Sequence, residues 1–312
     1  MTENKQHRNL EKIMYWTGGL EQSSIAVFIT ASSRVEKTKR AYETAKLSFE
    51  NVHVNINSLR PDIVEQNEQY CKDNGIVYTI TESNGYPAKG KNATYDWFKE
   101  FDYEWLVAVD GDDYLDINAF AVFEALIRSQ MPDIGCLVFG KAVRWENDLP
   151  VDPDLYFRKT FYNSYLSNVI MMDKMTSAST GSIRASRCVL YRRSVIVNNI
   201  ARMDETIRGF EDFQALLRYS HYKKTKDLHL VKFNCQFDSY IYDVSEVGDH
   251  TTAIYQKPEV FSENMVNFWK GIEGYDYYLD AADYMQVHTV YLDDRHIHAL
   301  NERQDQVLSE EE

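Results

Sequence analysis

Trp105-Leu-Val-Ala-Val-Asp110-Gly-Asp112-Asp113-Tyr114-Leu115 is the stretch around which the rest of the chain falls into order. Five apolar residues, three of them β-branched or aromatic, read as a buried strand. The strand stops at three carboxylates set around one glycine. In extended geometry Asp110 and Asp112, two apart, point the same way. Gly111 lets the backbone turn tightly at the strand end. Two hard oxygen ligands on a rigid strand tip suit a divalent cation that keeps positions open for phosphate oxygens. Open α/β sheets bind ligands at the carboxyl ends of their strands. Taken alone, the triplet is equally compatible with an acidic surface turn, and the neighbouring segments decide.

Upstream, Ser24-Ile-Ala-Val-Phe-Ile-Thr30 is a continuous apolar run suited to a central parallel strand. It ends in the small polar residues Ala31-Ser32-Ser33 and Arg34. Tyr42, Ala45 and Phe49 fall at three- and four-residue spacings, which predicts a helix over 36–49. Val52–Asn57 alternates as a second strand. A helix over 63–74 is stopped by Asn74-Gly75, and Ile76–Ile80 is a third strand. Residues 82–92 read as a loop and 93–101 as a helix. The order β-α-β-α-β-loop-α-β predicts a parallel, right-handed, doubly wound sheet.

Downstream, helices are predicted over 117–129, 194–201 and 210–222. The last begins with acids in its first turn, where the helix dipole favours them. Strands are predicted over 134–139, 188–193, 228–231 and 239–244, and 144–180 reads as irregular. Residues 258–312 read as mostly helical, with a charged tail. The expected organisation is a polar leader over 1–22, an α/β domain over 23–255 divided at residue 116, and a helical acidic extension over 256–312.

Composition bounds the function. The chain has 312 residues, 44% of them hydrophobic and 13% aromatic, enough for a full core. No run approaches the ~18 apolar residues of a membrane span, and the first residues lack a signal-peptide core. Cys71, Cys136, Cys188 and Cys235 are scattered without metal-binding spacing, as reduced thiols of a cytoplasmic protein are. The net charge of −14 argues on average against a polyanion partner. Between Arg184 and Lys232, however, eleven basic residues stand among only five acidic ones.

The stretch Asn84-Gly85-Tyr86-Pro87-Ala88-Lys89-Gly90-Lys91-Asn92 joins two glycines and two lysines just ahead of a predicted helix. Such a segment can bring ammonium groups and backbone N–H donors to phosphates. Three features now occur in order: the first strand ending at Arg34, the Gly85…Lys91-Asn92 segment, and Val-Asp110-Gly-Asp112-Asp113. Together they resemble the inverting family 2 glycosyltransferases of the GT-A fold over about residues 24–116, and more loosely to about 220. The resemblance implies a Rossmann-like, mostly parallel sheet flanked by helices, with a helical C-terminal extension. It implies a nucleoside-diphosphate sugar, most simply a UDP-sugar, contacted by Thr30, Ala31, Ser33, Arg34, Asn57, Gly85, Lys91, Asn92, Asp110, Gly111 and Asp112. It implies Mn²⁺ or Mg²⁺ on Asp110 and Asp112, with His250 of Gly248-Asp249-His250-Thr251-Thr252 as a third ligand.

The looser part supplies an acceptor half. Gly181-Ser182-Ile183 leading to Cys188–Ser194 resembles the family's strand beneath the acceptor. Gly209-Phe210-Glu211-Asp212-Phe213 resembles its Glu-Asp motif, which implies Glu211 and Asp212 as catalytic residues, with Asp212 taking the proton of the acceptor hydroxyl. The second strand ends in asparagines where the family more often has aspartates, so the nucleoside is less firmly indicated. The Gln-x-x-Arg-Trp signature of processive synthases is absent. The basic segment over 184–232 points to an acidic or phosphate-bearing acceptor, with nucleic acid as one such acceptor. Two other readings remain: a nucleotidyltransferase, which would normally carry a Gly-rich basic loop where Ala31–Arg34 stands, and a non-catalytic binding module of the same fold.

Overall fold

The computed structural model describes residues 24–116, 119, 123, 134–139, 142–146, 149–151, 189–209, 211–212, 214–215, 229–235, 240–243, 258–271 and 285–290. Residues 25–110 follow the alternating order that the sequence predicts. Strand β1 (Ile25–Ala31) leads to helix α1 (Val35–Lys46), then β2 (Asn51–Ile56), α2 (Pro61–Asp73), β3 (Val77–Ile80), α3 (Pro87–Phe98) and β4 (Trp105–Asp110). All but one residue of β1 are buried, as befits a strand covered on both faces. Phe28 packs edge-on against Trp97, Phe98 and Phe101 and stacks on His53. Fully burying one such side chain stabilises the fold by roughly 1.5–3 kcal/mol.

Helices α1 and α2 bury the three- and four-spaced residues Thr38, Ala41, Ala45 and Ile63, Asn67, Cys71. Helix α2 carries Pro at its start, where a missing N–H costs nothing. It stops at Asn74, followed by Gly75 at φ 62°, a left-handed conformation that glycine adopts without strain.

The later elements are β5 (Tyr114–Leu115), β6 (Ile134–Phe139), β7 (Ala142–Glu146), β8 (Leu149–Val151), β9 (Val189–Arg192), α4 (Arg193–Val197), β10 (His229–Cys235), β11 (Tyr240–Asp243), α5 (Pro258–Lys270) and β12 (Met285–Val290). Eight strands form the main sheet in the order β12-β10-β6-β9-β4-β1-β2-β3. Pairing is parallel throughout except at β9, which runs antiparallel to both β4 and β6. A second sheet, β5-β11-β7-β8, is of mixed direction.

Three sequence expectations change. Helix α3 begins at Pro87 rather than at residue 93, so Lys89, Gly90, Lys91 and Asn92 are helical. Two strands, β7 and β8, lie inside the stretch that had read as irregular or border it. The C-terminal segment does contain a helix, α5, but Met285–Val290 is a strand, paired in parallel with β10 at the sheet's end. The predicted helix over 117–129 falls mostly outside the described residues, although Ala119 and Phe123 are helical and fully buried. No helix among the described residues is long and apolar enough to cross a membrane.

Candidate active site

The carboxyl ends of β1, β2 and β4 lie side by side, with Thr30 in register with Asn55 on one side and Asp110 on the other. Strand β4 ends at Asp110, and Gly111-Asp112 turns. The Asp113 N–H donates to the Asp110 carbonyl at 2.9 Å, and the Gly111 N–H donates to the Thr30 carbonyl at 2.9 Å. Asp110 and Asp112 are therefore related by a turn, not by the extended strand that the two-residue spacing suggested. A Cβ on Gly111 would stand 2.7 Å from the Thr30 carbonyl oxygen and 2.8 Å from Ala31 Cα. The glycine is needed for this close approach of two backbones, and the Ser33 hydroxyl donates to its carbonyl at 3.4 Å.

The third carboxylate is structural. Asp113 is 1% exposed; it accepts from the Tyr240 hydroxyl at 2.8 Å and from the Asp243 N–H at 3.0 Å. The Tyr240 oxygen in turn accepts the Asp110 N–H at 3.3 Å. Burial, then the charges of Asp113 and Asp110, hold the Tyr240 phenol well above its ordinary range. The second sheet is thus fastened directly beneath the strand tip.

Helix α3 lies flush on the tips of β1 and β2. A side chain at Gly90 would meet Asn57 Oδ1 and Thr30 Cγ2, each at 2.9 Å. Asn55, fully buried, donates to the Gly90 carbonyl at 3.1 Å and to the Thr94 hydroxyl at 2.9 Å, and accepts from Thr81 at 2.8 Å. The Thr30 and Thr94 hydroxyls are 2.9 Å apart. This packing delivers the next residue, Lys91, to the strand tip. Its Nζ lies 3.4 Å from Asp110 Oδ1 and 3.0 Å from Glu211 Oε1.

One lysine therefore ties the end of β4 to the Glu-Asp pair, which lies 120 residues beyond the lysine itself. Burial alone would lower its pKa, but Asp110, Glu211 and Asp212, in that order, outweigh it and raise it well above the ordinary value. Lys91 stays charged. Glu211 is 5% exposed; burial raises its pKa, Lys91 opposes, and Asp212 adds to the rise. Asp212 is less buried than Glu211.

Two asparagines fix the segment carrying this pair. Asn92 donates to the Met203 carbonyl (2.9 Å) and to Glu205 Oε1 (2.8 Å), and accepts the Met203 N–H (2.9 Å). On the other side Asn264, from α5, accepts the Arg208 N–H (2.6 Å) and donates to the Gly209 carbonyl (3.1 Å). Gln214 donates to the Phe268 carbonyl at 2.8 Å.

The structure thus brings together Thr30, Ala31, Ser33, Lys91, Asp110, Gly111, Glu211 and Asp212. It gives two of the expected donor-site residues other employment. Asn92 spends its amide on Met203 and Glu205. Asn57, 4% exposed, donates to Thr81 and to the Glu82 carbonyl, so its amide braces the strand ends. Gly85 has φ 79° and lies against Leu59, and Arg34 is exposed at the start of α1. His250 and Gly181-Ser182-Ile183 lie outside the described residues. Tyr240 and Asn264 carried no sequence signal, since a tyrosine in a strand and an asparagine in a helix are ordinary.

The described part of the basic segment is largely engaged within the fold. Arg192 pairs with Glu104, Arg202 with Asp96 and Glu205, Arg193 bonds three backbone carbonyls, and Arg208 donates to the Tyr86 hydroxyl. Among the described residues no three His, Cys, Asp or Glu side chains form a metal cage. The donor set that Asp110 and Asp112 offer, two hard carboxylates on one turn, fits Mg²⁺ or Mn²⁺ completed by phosphate oxygens.

No family model matches the chain, and no curated protein matches it. Among solved structures, S. aureus TarS 1–349 in complex with UDP-GlcNAc matches with a TM-score of 0.51 and 18% identity, over 82% of this chain and 68% of that one. A longer TarS chain matches with a TM-score of 0.50 and 17% identity, and this chain covers 41% of it. The mannosyltransferase PcManGT from Pyrobaculum calidifontis, in complex with GDP-Man and Mn²⁺, matches over 98% of this chain and 87% of its own at 9% identity and a TM-score of 0.45, too distant for anything to rest on it. The likeness is one of fold: the chain has a GT-A-type α/β fold, a mostly parallel sheet flanked by helices.

Proposed function

We propose that the chain is a metal-dependent inverting glycosyltransferase of the family 2 type. It moves a sugar from a nucleoside-diphosphate sugar, a UDP-sugar in this reading, to a hydroxyl acceptor. The observation that supports this most is the convergence on Lys91 of Asp110, at the tip of β4, and the Glu211-Asp212 pair. A carboxylate turn for the diphosphate and a carboxylate for the acceptor then share one site.

Asp112 and Asp110 would hold the divalent cation, which would supply positive charge against the negative charge developing on the leaving nucleoside diphosphate. Asp212, the more open of the pair, accepts the acceptor's hydroxyl proton on a carboxylate oxygen. The hydroxyl oxygen bonds to the anomeric carbon as the bond from that carbon to the diphosphate oxygen breaks, which inverts the configuration. Glu211, closed in against Lys91, positions the lysine. Arg192, Arg193 and Arg202 are engaged within the fold, so the case for an acidic or phosphate-bearing acceptor rests on the other basic residues of the 184–232 segment, and the acceptor class proposed is a hydroxyl.

Calorimetric titration with UDP and UDP-sugars, each with and without Mn²⁺, tests the reading. Binding that requires Mn²⁺, with slow release of UDP from one UDP-sugar, is the expected result. No binding of any nucleoside diphosphate under either condition would sink it.

A further inference from the structure

We propose that Lys91 is a built-in counter-cation of this site: it neutralises Asp110 while no nucleotide is bound, discourages uptake of free divalent metal, and yields Asp110 when metal and diphosphate arrive together. The inference rests on the reading of the site as a nucleotide-sugar site.

The geometry is that of a shared ammonium. Lys91 Nζ is 3.0 Å from Glu211 Oε1 and 3.4 Å from Asp110 Oδ1, and Asp212 adds to the field that keeps it charged. An ion pair made only to hold the fold would be complete with Glu211, whose side chain is 6% exposed and directed at the same nitrogen. The lysine instead stands between Glu211 and the strand tip. An ammonium is a compact point charge with three donors on a flexible stem. It can keep Glu211 while exchanging Asp110 for another anion.

The charge arithmetic favours that exchange. One ammonium among Asp110, Glu211 and Asp212 leaves the cluster negative, yet one of the two carboxylates expected to hold the metal is already engaged. A metal ion arriving alone meets a like charge beside Asp110, and like charges this close in a poorly solvated site repel strongly. A metal–diphosphate pair brings its own anionic oxygens, onto which Lys91 can move as the metal takes Asp110. Uptake of metal is thereby coupled to uptake of nucleotide.

The test is direct Mn²⁺ binding to the full chain, measured by electron paramagnetic resonance with and without UDP, for wild type, Lys91→Met and Lys91→Arg. Without UDP, Lys91→Met is expected to bind Mn²⁺ at least about tenfold more tightly than wild type, because a unit positive charge next to the ion is gone. Lys91→Arg, which keeps the charge, should match wild type. With UDP present the advantage of Lys91→Met should shrink. If Lys91→Met binds Mn²⁺ alone no better than wild type, while wild type binds Mn²⁺ with UDP, the counter-cation inference fails and the proposed function stands. If wild type binds no Mn²⁺ even with UDP, both fail. Should Lys91→Met not fold by itself, Mn²⁺ alone should restore its melting transition at concentrations that leave the wild-type melting temperature unmoved; a variant still unfolded in Mn²⁺ overturns the inference.

Discussion

Asn92 grips Met203 by both backbone groups: its Nδ2 donates to the Met203 carbonyl and its Oδ1 accepts the Met203 N–H, each at 2.9 Å. The two residues are 111 apart in sequence, and the contact is buried. It pins the segment leading to Glu211 and Asp212 onto the same helix that carries Lys91. The relative placement of the two halves of the site depends on it.

Asn92→Ala leaves a buried N–H and a buried carbonyl without partners. Each such group costs about 1–3 kcal/mol, so the variant should lose about 2–6 kcal/mol in urea unfolding. Asn92→Asp keeps the acceptor but sets a carboxylate beside Glu205, and should also lose stability. An unchanged unfolding midpoint in Asn92→Ala would mean that the clamp contributes nothing.

Gly111→Ala probes the contact between the tips of β1 and β4. The new methyl would fall 2.7 Å and 2.8 Å from the backbone of Thr30 and Ala31, which cannot swing aside as a flexible side chain could. Overpacking of this kind costs about 1–3 kcal/mol. The strain is placed on the turn between Asp110 and Asp112, so Mn²⁺-dependent UDP affinity should fall with the melting temperature. Retained affinity in a variant with a lowered melting temperature would detach the turn geometry from binding.

Much of this arrangement was legible in the sequence, for identifiable reasons. Runs such as Ile25–Ala31 and Trp105–Asp110 are apolar on both faces, so their strand character does not depend on distant partners. Helix α3 began earlier than expected because Lys89, Gly90 and Lys91 look like a solvated loop. Gly90 is there to let a helix lie against Thr30 and Asn57, a tertiary requirement that local propensity does not encode. Pro87, a helix-start residue, was the available signal. The approach of Lys91 to Glu211 spans 120 residues and has no local signature. The role of Asp113 was hidden too, because one carboxylate on a turn looks the same whether it faces solvent or Tyr240. In Met285–Val290 only the neighbouring strand β10 decides in favour of a strand.

Tyr240→Phe tests that hidden role. It removes the donor to Asp113 and the acceptor of the Asp110 N–H with almost no change in volume. The buried Asp113 carboxylate then keeps the Asp243 N–H but loses the phenol donor. A buried charged group short of one hydrogen bond costs about 1–3 kcal/mol, and chemical unfolding should show that loss. If stability were unchanged, the tie between the two sheets would not run through this hydroxyl.

His53 makes stability depend on pH. It is 5% exposed, stacked on Phe28, with Nε2 3.1 Å from the Tyr103 hydroxyl and Nδ1 without a partner among the described residues. Burial, with a smaller contribution from Lys46, pushes its pKa down from 6.5 to about 4. The unfolded chain therefore binds this proton more readily than the folded one. The contribution of neutral His53 is complete above about pH 6.5 and falls as pH drops from there towards 4, by at most about 1.4 kcal/mol per pH unit. His53→Phe should remove that slope. Unfolding free energies at pH 7 and pH 4.5, compared as wild type minus variant, cancel the carboxylates that titrate in both; an equal pH dependence would show that His53 is not the group responsible.

Asp112→Ala and Asp212→Asn should fail in different ways. Asp112 is assigned to the metal and diphosphate, so its loss should abolish Mn²⁺-dependent UDP binding along with turnover. Asp212 is assigned to the acceptor hydroxyl rather than to the leaving group, so Asp212→Asn should bind UDP and Mn²⁺ within a few-fold of wild type. It should nevertheless lose about 10²–10⁴ in kcat, the usual worth of a positioned base. Glu211→Gln separates the neighbours. Glu211 is enclosed against Lys91, so its loss should loosen the lysine and weaken UDP binding, whereas Asp212→Asn should not. Transfer rates and UDP affinities measured on the three variants decide the assignment. Near-normal turnover in Asp212→Asn, with a collapse in Glu211→Gln at unchanged UDP affinity, would move the base to Glu211 and require that carboxylate to leave Lys91 during the reaction.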